Sequence, residues 1–222
     1  MSKNLLKVAI IAAGLMFSIN SFAKEESGFF TGIQAGTLGA GLNVGYNFND
    51  MFGLRANING LKVSRDVNVG DLKYNGNAKL LTAGILADYH PFENGFRLSA
   101  GAYYNDNKIY GHGYSTKTYY GLDPNDFGYE DASVKYNKFS PYLGVGYDVN
   151  ITENLSFVSD LGVLYQGKGK VKNSTVCYSQ FVCTILSDKL NEENESQKYK
   201  IQDKADKLQF YPVLSIGLSY SF

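Results

Sequence analysis

The chain offers few residues with which to make or break a covalent bond. Its two histidines are His90 and His112, and its two cysteines are Cys177 and Cys183. His112-Gly113-Tyr114-Ser115 sets an imidazole close to a hydroxyl, but a nucleophile works only when its base is held within hydrogen-bond reach and oriented by a third group. No His-x-Ser pattern lies on a strand and no acidic partner stands out, so the sequence predicts no catalytic residue and no enzyme. Cys177 and Cys183 enclose Tyr178 to Val182, a spacing that in an exported chain predicts a disulfide pinning a loop tip. A metal would need more ligands than that stretch holds, and neither histidine is near, so neither metal nor cofactor is expected. What remains is a set of charges, Arg55, Asp88, His90, Arg97, Asp148 and Asp160, whose chemistry depends on the elements that turn them.

Those elements are announced at the end of the chain. From Phe210 onward every second residue is apolar (Phe210, Pro212, Leu214, Ile216, Leu218, Tyr220, Phe222), while the residues between are mostly small or polar. A period of two with one greasy and one wet face is what a strand needs when hydrocarbon lies on one side and a polar lumen on the other. The aromatic ending, with Tyr220 and Phe222 on the greasy face, resembles the C-terminal sorting signal of bacterial outer-membrane barrels. Ten steps at roughly 3.3 Å, tilted by about 45°, also match the roughly 25 Å apolar band of such barrels.

The start of the chain agrees. Lys3 and Lys7, the apolar run from Val8 to Ile19 and the small residues of Ser21-Phe22-Ala23 predict a signal peptide over residues 1–23, leaving 24–222 as one barrel domain. The apolar run is too short to cross a bilayer as a helix. A mean hydropathy of −0.21 does not oppose a membrane location, because lumen faces and loops dilute a barrel's lipid-facing stripe. With 21 basic and 21 acidic residues, no charge bias argues for nucleic acid. The biases are glycine, at 24 residues, and aromatics, at 14%, suited to crowded inward faces and interfacial girdles.

The same alternation recurs along the chain, broken on two length scales. Breaks at Asn49 to Met51, Pro91 to Gly95 and Asn150 to Asn154 are short; those at about Ser64 to Ala78, Ile109 to Lys135 and Gly167 to Asp206 are longer and polar. In outer-membrane barrels short turns face the periplasm and long loops the exterior. Outward faces are read at Phe52 to Ile58, Leu81 to Tyr89, Phe96 to Tyr104, Phe139 to Val149, Leu155 to Tyr165 and the final strand. Before Asn49 the apolar phase flips at Gly36-Thr37-Leu38-Gly39, which predicts a tight hairpin, two strands and an even total of eight. A single long strand with a bulge is the alternative. Within the last loop, Ser187 caps a predicted polar helix running to about Lys204, with Leu190, Gln197, Ile201 and Ala205 on one side.

On this layout the six charges point inward near the periplasmic turns. An eight-stranded interior is just wide enough for side chains to fill, so the charges are expected to pair as a plug, or as a gate whose rearrangement opens a small pore. The apolar inward residues Leu80, Leu86, Val158 and Leu164 read as scattered. Tyr110, Tyr114, Tyr119 and Tyr120 in the second long loop either pack over the mouth or offer adhesive contact area.

The segment from Lys79 to Asn107, with His90-Pro91-Phe92 and Gly95 to Gly101, and the ending from Tyr211-Pro212-Val213 to Tyr220-Ser221-Phe222 resemble uncharacterised proteobacterial members of the small outer-membrane β-barrel family that includes OmpA-like membrane domains, OmpX and OmpW. The resemblance implies an all-β, eight-stranded antiparallel transmembrane barrel in the outer membrane, with outer-membrane lipid and the barrel-assembly machinery as partners and an extracellular ligand left open. A non-enzymatic structural or surface-interaction role leads, an OmpW-like or porin-like channel for small solutes comes second, and a lipid A-modifying enzyme third.

Overall fold

The computed structural model describes residues 28–69, 72–92, 94–115, 129–176, 198–199, 201–203 and 205–222. Among the described residues eleven strands run in chain order: β1 (Gly28–Gly36), β2 (Gly39–Asn47), β3 (Phe52–Val69), β4 (Leu72–Tyr89), β5 (Phe96–Asn105), β6 (Lys108–Ser115), β7 (Tyr129–Lys135), β8 (Phe139–Asn150), β9 (Leu155–Tyr165), β10 (Lys170–Val176) and β11 (Phe210–Ser221). Eight of them close a ring by antiparallel pairing in the order β1-β2-β3-β4-β5-β8-β9-β11, with β11 returning to β1. Closure leaves the ring without an unpaired edge.

The phase flip is a hairpin. β1 and β2 pair from Gly28↔Asn47 to Gly36↔Gly39, and Gly39 takes a φ of 106° that a Cβ would resist. Leu38 therefore returns inward and is buried, while Phe29 and Ile33 on β1 and Leu42 and Val44 on β2 all face out. Thr37, past the last β1 rung, keeps β11 satisfied: its N–H donates to the Leu214 carbonyl at 2.9 Å and its Oγ1 to that of Pro212 at 3.0 Å.

Alternation is visible strand by strand. On β8, Phe139, Pro141, Leu143 and Val145 are exposed, whereas Ser140, Tyr142, Gly144 and Gly146 are buried. Pro141 on β8 and Pro212 on β11 both face outward. Outward aromatics gather at the two ends of the ring, with Phe29, Tyr46, Phe48, Phe52, Tyr89, Tyr220 and Phe222 at the short-turn end and Tyr104, Phe139, Tyr165 and Phe210 at the other.

The long-loop end departs from expectation. Ser64 to Ala78 is not a loop: β3 and β4 continue past the ring as an 18-residue pair, in register from Phe52↔Tyr89 to Val69↔Leu72. Much of Ile109 to Lys135 belongs to β6 and β7, and β10 occupies the start of the stretch Gly167 to Asp206. These three strands join β4 in the order β4-β6-β7-β10. One side of the barrel wall thus rises as an extension, while β1, β2 and β11 stop at the rim. Its apolar residues, such as Val67, Val69, Leu72 and Tyr74, are sparse among glycine and polar residues, so the sequence there shows only a weak apolar period.

The helix expected to run to Lys204 is helical at 198–199, 201–203 and 205–206; Ser187, Leu190 and Gln197 lie outside the described residues. Ala205 is buried over Gly169 and Val134 on the inner face of the extension, and Gln202 Nε2 donates to the Gly169 carbonyl at 2.6 Å.

Glycines set the lumen's width. Gly144 and Gly162 are directly paired, and a Cβ on either would run into the Tyr142 ring that lies across them. Gly162→Leu should therefore lower the stability of the detergent-folded barrel by about 1–3 kcal/mol through overpacking, read as a fall in the midpoint of urea unfolding. Leu substituted at the outward-facing Ser64 should leave that midpoint unchanged.

Candidate functional site

Five of the six charges predicted to turn inward lie on five neighbouring ring strands, β3 (Arg55), β4 (Asp88), β5 (Arg97), β8 (Asp148) and β9 (Asp160), with His90 one residue past β4. All six are buried. Arg55 grips Asp160 with two nitrogens, Nη1 to Oδ2 and Nη2 to Oδ1, both at 3.1 Å. Its Nε lies 3.0 Å from Asp88 Oδ2. Arg97 Nη2 donates to the same Asp160 Oδ1 at 2.8 Å, its Nη1 pairs with Asp148, and its Nε stands 3.7 Å from Asp88 Oδ1. Ser99 Oγ donates to Asp88, Ser215 Oγ reaches Asp160 at 3.4 Å, and His90 Nε2 lies 4.0 Å from Asp148 Oδ2.

Backbone register explains why these groups meet. Arg97, Gly146 and Asp160 occupy one rung across β5, β8 and β9. Gly146 has no side chain to stand between them, and a Cβ there would come within 2.6 Å of Arg97 Nη2. Asp88 sits opposite Ser99 on one flank and Gly53 on the other. The glycines opposite charged residues are the sequence signal that the inward reading of the charges left unused.

Above this ionic layer lies an apolar one. Leu38, Leu86, Tyr103, Tyr142, Leu164 and Val213 form one buried cluster, with Tyr211 against it. Leu86 and Leu164 are therefore contiguous with other apolar groups rather than scattered, brought together by the hairpin's Leu38 and by two tyrosines whose rings meet edge to face at 5.5 Å. Asn57 Nδ2 donates to the Tyr103 hydroxyl at 3.1 Å, and above it Asn59, Thr82, Asn105 and Gln166 are buried amides and hydroxyls.

Two spaces of very different size lie inside the ring. A cavity of about 480 Å³ opens among Gly28, Asn47, Asn150, Asn154 and Phe222 at the short-turn end and has the ion pairs for its floor. Beyond them, between Gln34, Leu38, Tyr103 and Tyr142, the room falls to about 10 Å³, little more than one water.

Other candidates separate. His112 pairs with Asp131, its rung partner on β7; the histidine is exposed and the aspartate half-buried. That carboxylate is a partner the sequence did not reveal. Ser115 stands three residues along the same strand. Among the described residues no cluster of His, Cys, Asp and Glu could hold a metal. Cys177, Cys183, Tyr119 and Tyr120 lie outside the described residues. Tyr220 and Phe222 both face outward at the short-turn end.

No protein-family model and no curated protein matches the chain. Solved structures do. Acinetobacter baumannii CarO2 superposes with a TM-score of 0.61 at 20% identity, over 89% of this chain and 100% of the other. Acinetobacter baumannii CarO gives 0.59 at 23% identity, over 87% and 97%. At such identities the likeness establishes the architecture and leaves the chemistry to this chain's own residues.

At the rim, Asp106 between β5 and β6 accepts from Lys138 and from Lys108, the latter at 2.9 Å, and these hydrogen bonds, Lys138's first, hold its carboxyl below the usual range. A carboxyl lowered by folding stabilises the folded state above its unfolded pKa and loses that contribution as pH falls through its folded value. The carboxyl ¹³C resonance of Asp106 should accordingly titrate below that of a free aspartate, and return toward it in Lys138→Gln.

Removing one member of a buried ion pair strands its partner, at about 3–5 kcal/mol. Asp160→Asn, which deprives both arginines, should cost more than Asp148→Asn, which deprives one; urea unfolding of the two folded barrels orders them.

Proposed function

We propose that this chain is a non-enzymatic outer-membrane β-barrel of the small eight-stranded kind to which OmpA-like membrane domains, OmpX and OmpW belong, acting through its wall and external surface rather than through an open pore. The observation that carries the reading is the lumen itself: a layer of interlocked arginines and aspartates followed by a layer of leucine, valine and tyrosine, across which free volume falls from about 480 to about 10 Å³. Its outer face supports the membrane location. Phe29, Ile33, Leu42, Val44, Leu54, Ile58, Ile85, Leu143 and Ile216 are exposed around the whole ring, a belt that only hydrocarbon accommodates at this extent.

In this reading residues 1–23 direct export, Tyr220 and Phe222 present the sorting signal to the assembly machinery, and the short turns face the periplasm. The extension then stands outside the cell, where β6 carries Tyr110 and Tyr114 and an extracellular ligand would be met.

The cavity on the periplasmic side favours one further reading, a channel for small solutes whose ionic floor moves aside. Planar-bilayer recording separates the two. The wild-type barrel should show no steady conductance, and Arg97→Ala combined with Asp160→Ala should show it; steady wild-type currents would overturn the closed-lumen reading.

A further inference from the structure

Five lysines stand on one rung of the extension. Lys62 on β3 pairs with Lys79 on β4, Lys79 with Lys108 on β6, Lys108 with Lys135 on β7, and Lys135 with Lys170 on β10. Directly opposed residues in an antiparallel sheet point to the same face, and this face is the outward one. Counting down β4 by twos from Lys79 leads to Leu81, Ala83 and Ile85, and down β3 from Lys62 to Gly60, Ile58 and Ala56, all on the outside of the ring. The row spans five strands, roughly 19 Å at the usual strand spacing.

Such an arrangement is costly by itself, since like charges directly opposite one another destabilise a sheet. Lysine commonly protects exposed sheet edges, which accounts for Lys62 and Lys170. It does not account for Lys79, Lys108 and Lys135, which lie on interior strands. Among the described residues the row has a single carboxylate partner, Asp106 on Lys108, and Asp106 is shared with Lys138. Lys62, Lys79, Lys135 and Lys170 are exposed and have no acidic partner among the described residues. The charge is unbalanced.

Its height in the wall indicates what balances it. The row begins one side-chain step, roughly 7 Å, above the last outward apolar residue Leu81, and just above the outward rings of Tyr104, Phe139 and Tyr165. Aromatic rings of this kind mark the boundary between hydrocarbon and headgroups, and lysine stems extend from apolar surface to bring their ammonium groups into the polar layer. The adjacent rung, which turns to the opposite face, carries Val63, Ala78, Ile109, Val134 and Val171, so the charge is confined to the outward side, the side that continues the ring's lipid-facing stripe.

We propose that Lys62, Lys79, Lys108, Lys135 and Lys170 form a ledge that binds the phosphate groups of lipid headgroups in the outer leaflet. The ledge rests on the outer-membrane reading above and adds a lipid-specific contact to it. Bound phosphates neutralise the row, so the extension is stiffest and most stable when phosphorylated lipid surrounds it.

The test uses the full barrel reconstituted into phosphatidylcholine vesicles containing bisphosphorylated lipid A, dephosphorylated lipid A or neither, with inorganic phosphate as a separate arm. Heat-modifiable migration reports insertion and thermal stability together. Wild-type protein should resist heat best with bisphosphorylated lipid A, in a salt-sensitive way. Lys79→Gln with Lys135→Gln should raise heat resistance in plain phosphatidylcholine, by relieving repulsion, and lose the lipid A effect; affinity for bisphosphorylated lipid A should drop roughly tenfold or more. Lys79→Arg with Lys135→Arg should retain it. Equal stabilisation by dephosphorylated lipid A, by inorganic phosphate at matched phosphate concentration, or of the glutamine variant would overturn the ledge while leaving the barrel reading intact. A chain that inserts into no vesicle would overturn both.

Discussion

Asp160 is the tie on which the closed interior depends. One carboxylate receives both guanidinium groups of the lumen, and through them Asp88 and Asp148 are held as well. Desolvating five charges in a narrow cylinder is affordable only because each is paired and hydrogen-bonded, and the pairing crosses strands far apart in sequence. The network therefore sets which strands face one another as well as filling the space between them. The apolar layer of Leu38, Tyr103, Tyr142 and Leu164 sits directly on it and needs the glycines at 84, 144 and 162 to make room for its rings.

The wall obeys an inverted rule compared with that of a soluble barrel. Side chains that would form a core, such as Ile33, Leu143 and Ile216, face outward, and arginine and aspartate occupy the centre. Both halves of this inversion follow from one backbone property, the alternation of faces along a strand. Where the chain passes beyond the belt the rule changes: β3, β4, β6, β7 and β10 keep their pairing, but the outward positions turn from leucine and tyrosine to lysine.

Much of the ring was legible in the sequence because alternation needs no partner to be read. Arg55, Asp88, Arg97, Asp148 and Asp160 could be assigned inward from their parity against neighbours such as Leu54 and Leu161, and the hairpin at Thr37-Leu38 from the switch of apolar phase. What depended on cross-strand register was not legible. The five lysines are separated by irregular intervals of chain, and their alignment becomes visible only when β3, β4, β6, β7 and β10 are laid side by side. The pairing of His112 with Asp131, and the placing of Gly146 between Arg97 and Asp160, were hidden for the same reason. The extension was missed because from Ser64 to Ala78 the few apolar residues are diluted by asparagine, aspartate, lysine and glycine, a composition that reads as a loop as readily as a strand pair.

The join between ring and extension is uneven. β4 crosses it without interruption, and β5 with β6, and β8 with β7, hold the same rung count on both sides of their short breaks. Between β9 and β10 the count slips by one residue at Gln166 to Gly169, where Gly167 adopts a φ of 70°. Four staves, β3 included, thus continue the barrel in register and the fifth is jointed. The register mismatch between ring and extension is confined to the β9–β10 join, where the positive φ of Gly167 absorbs it.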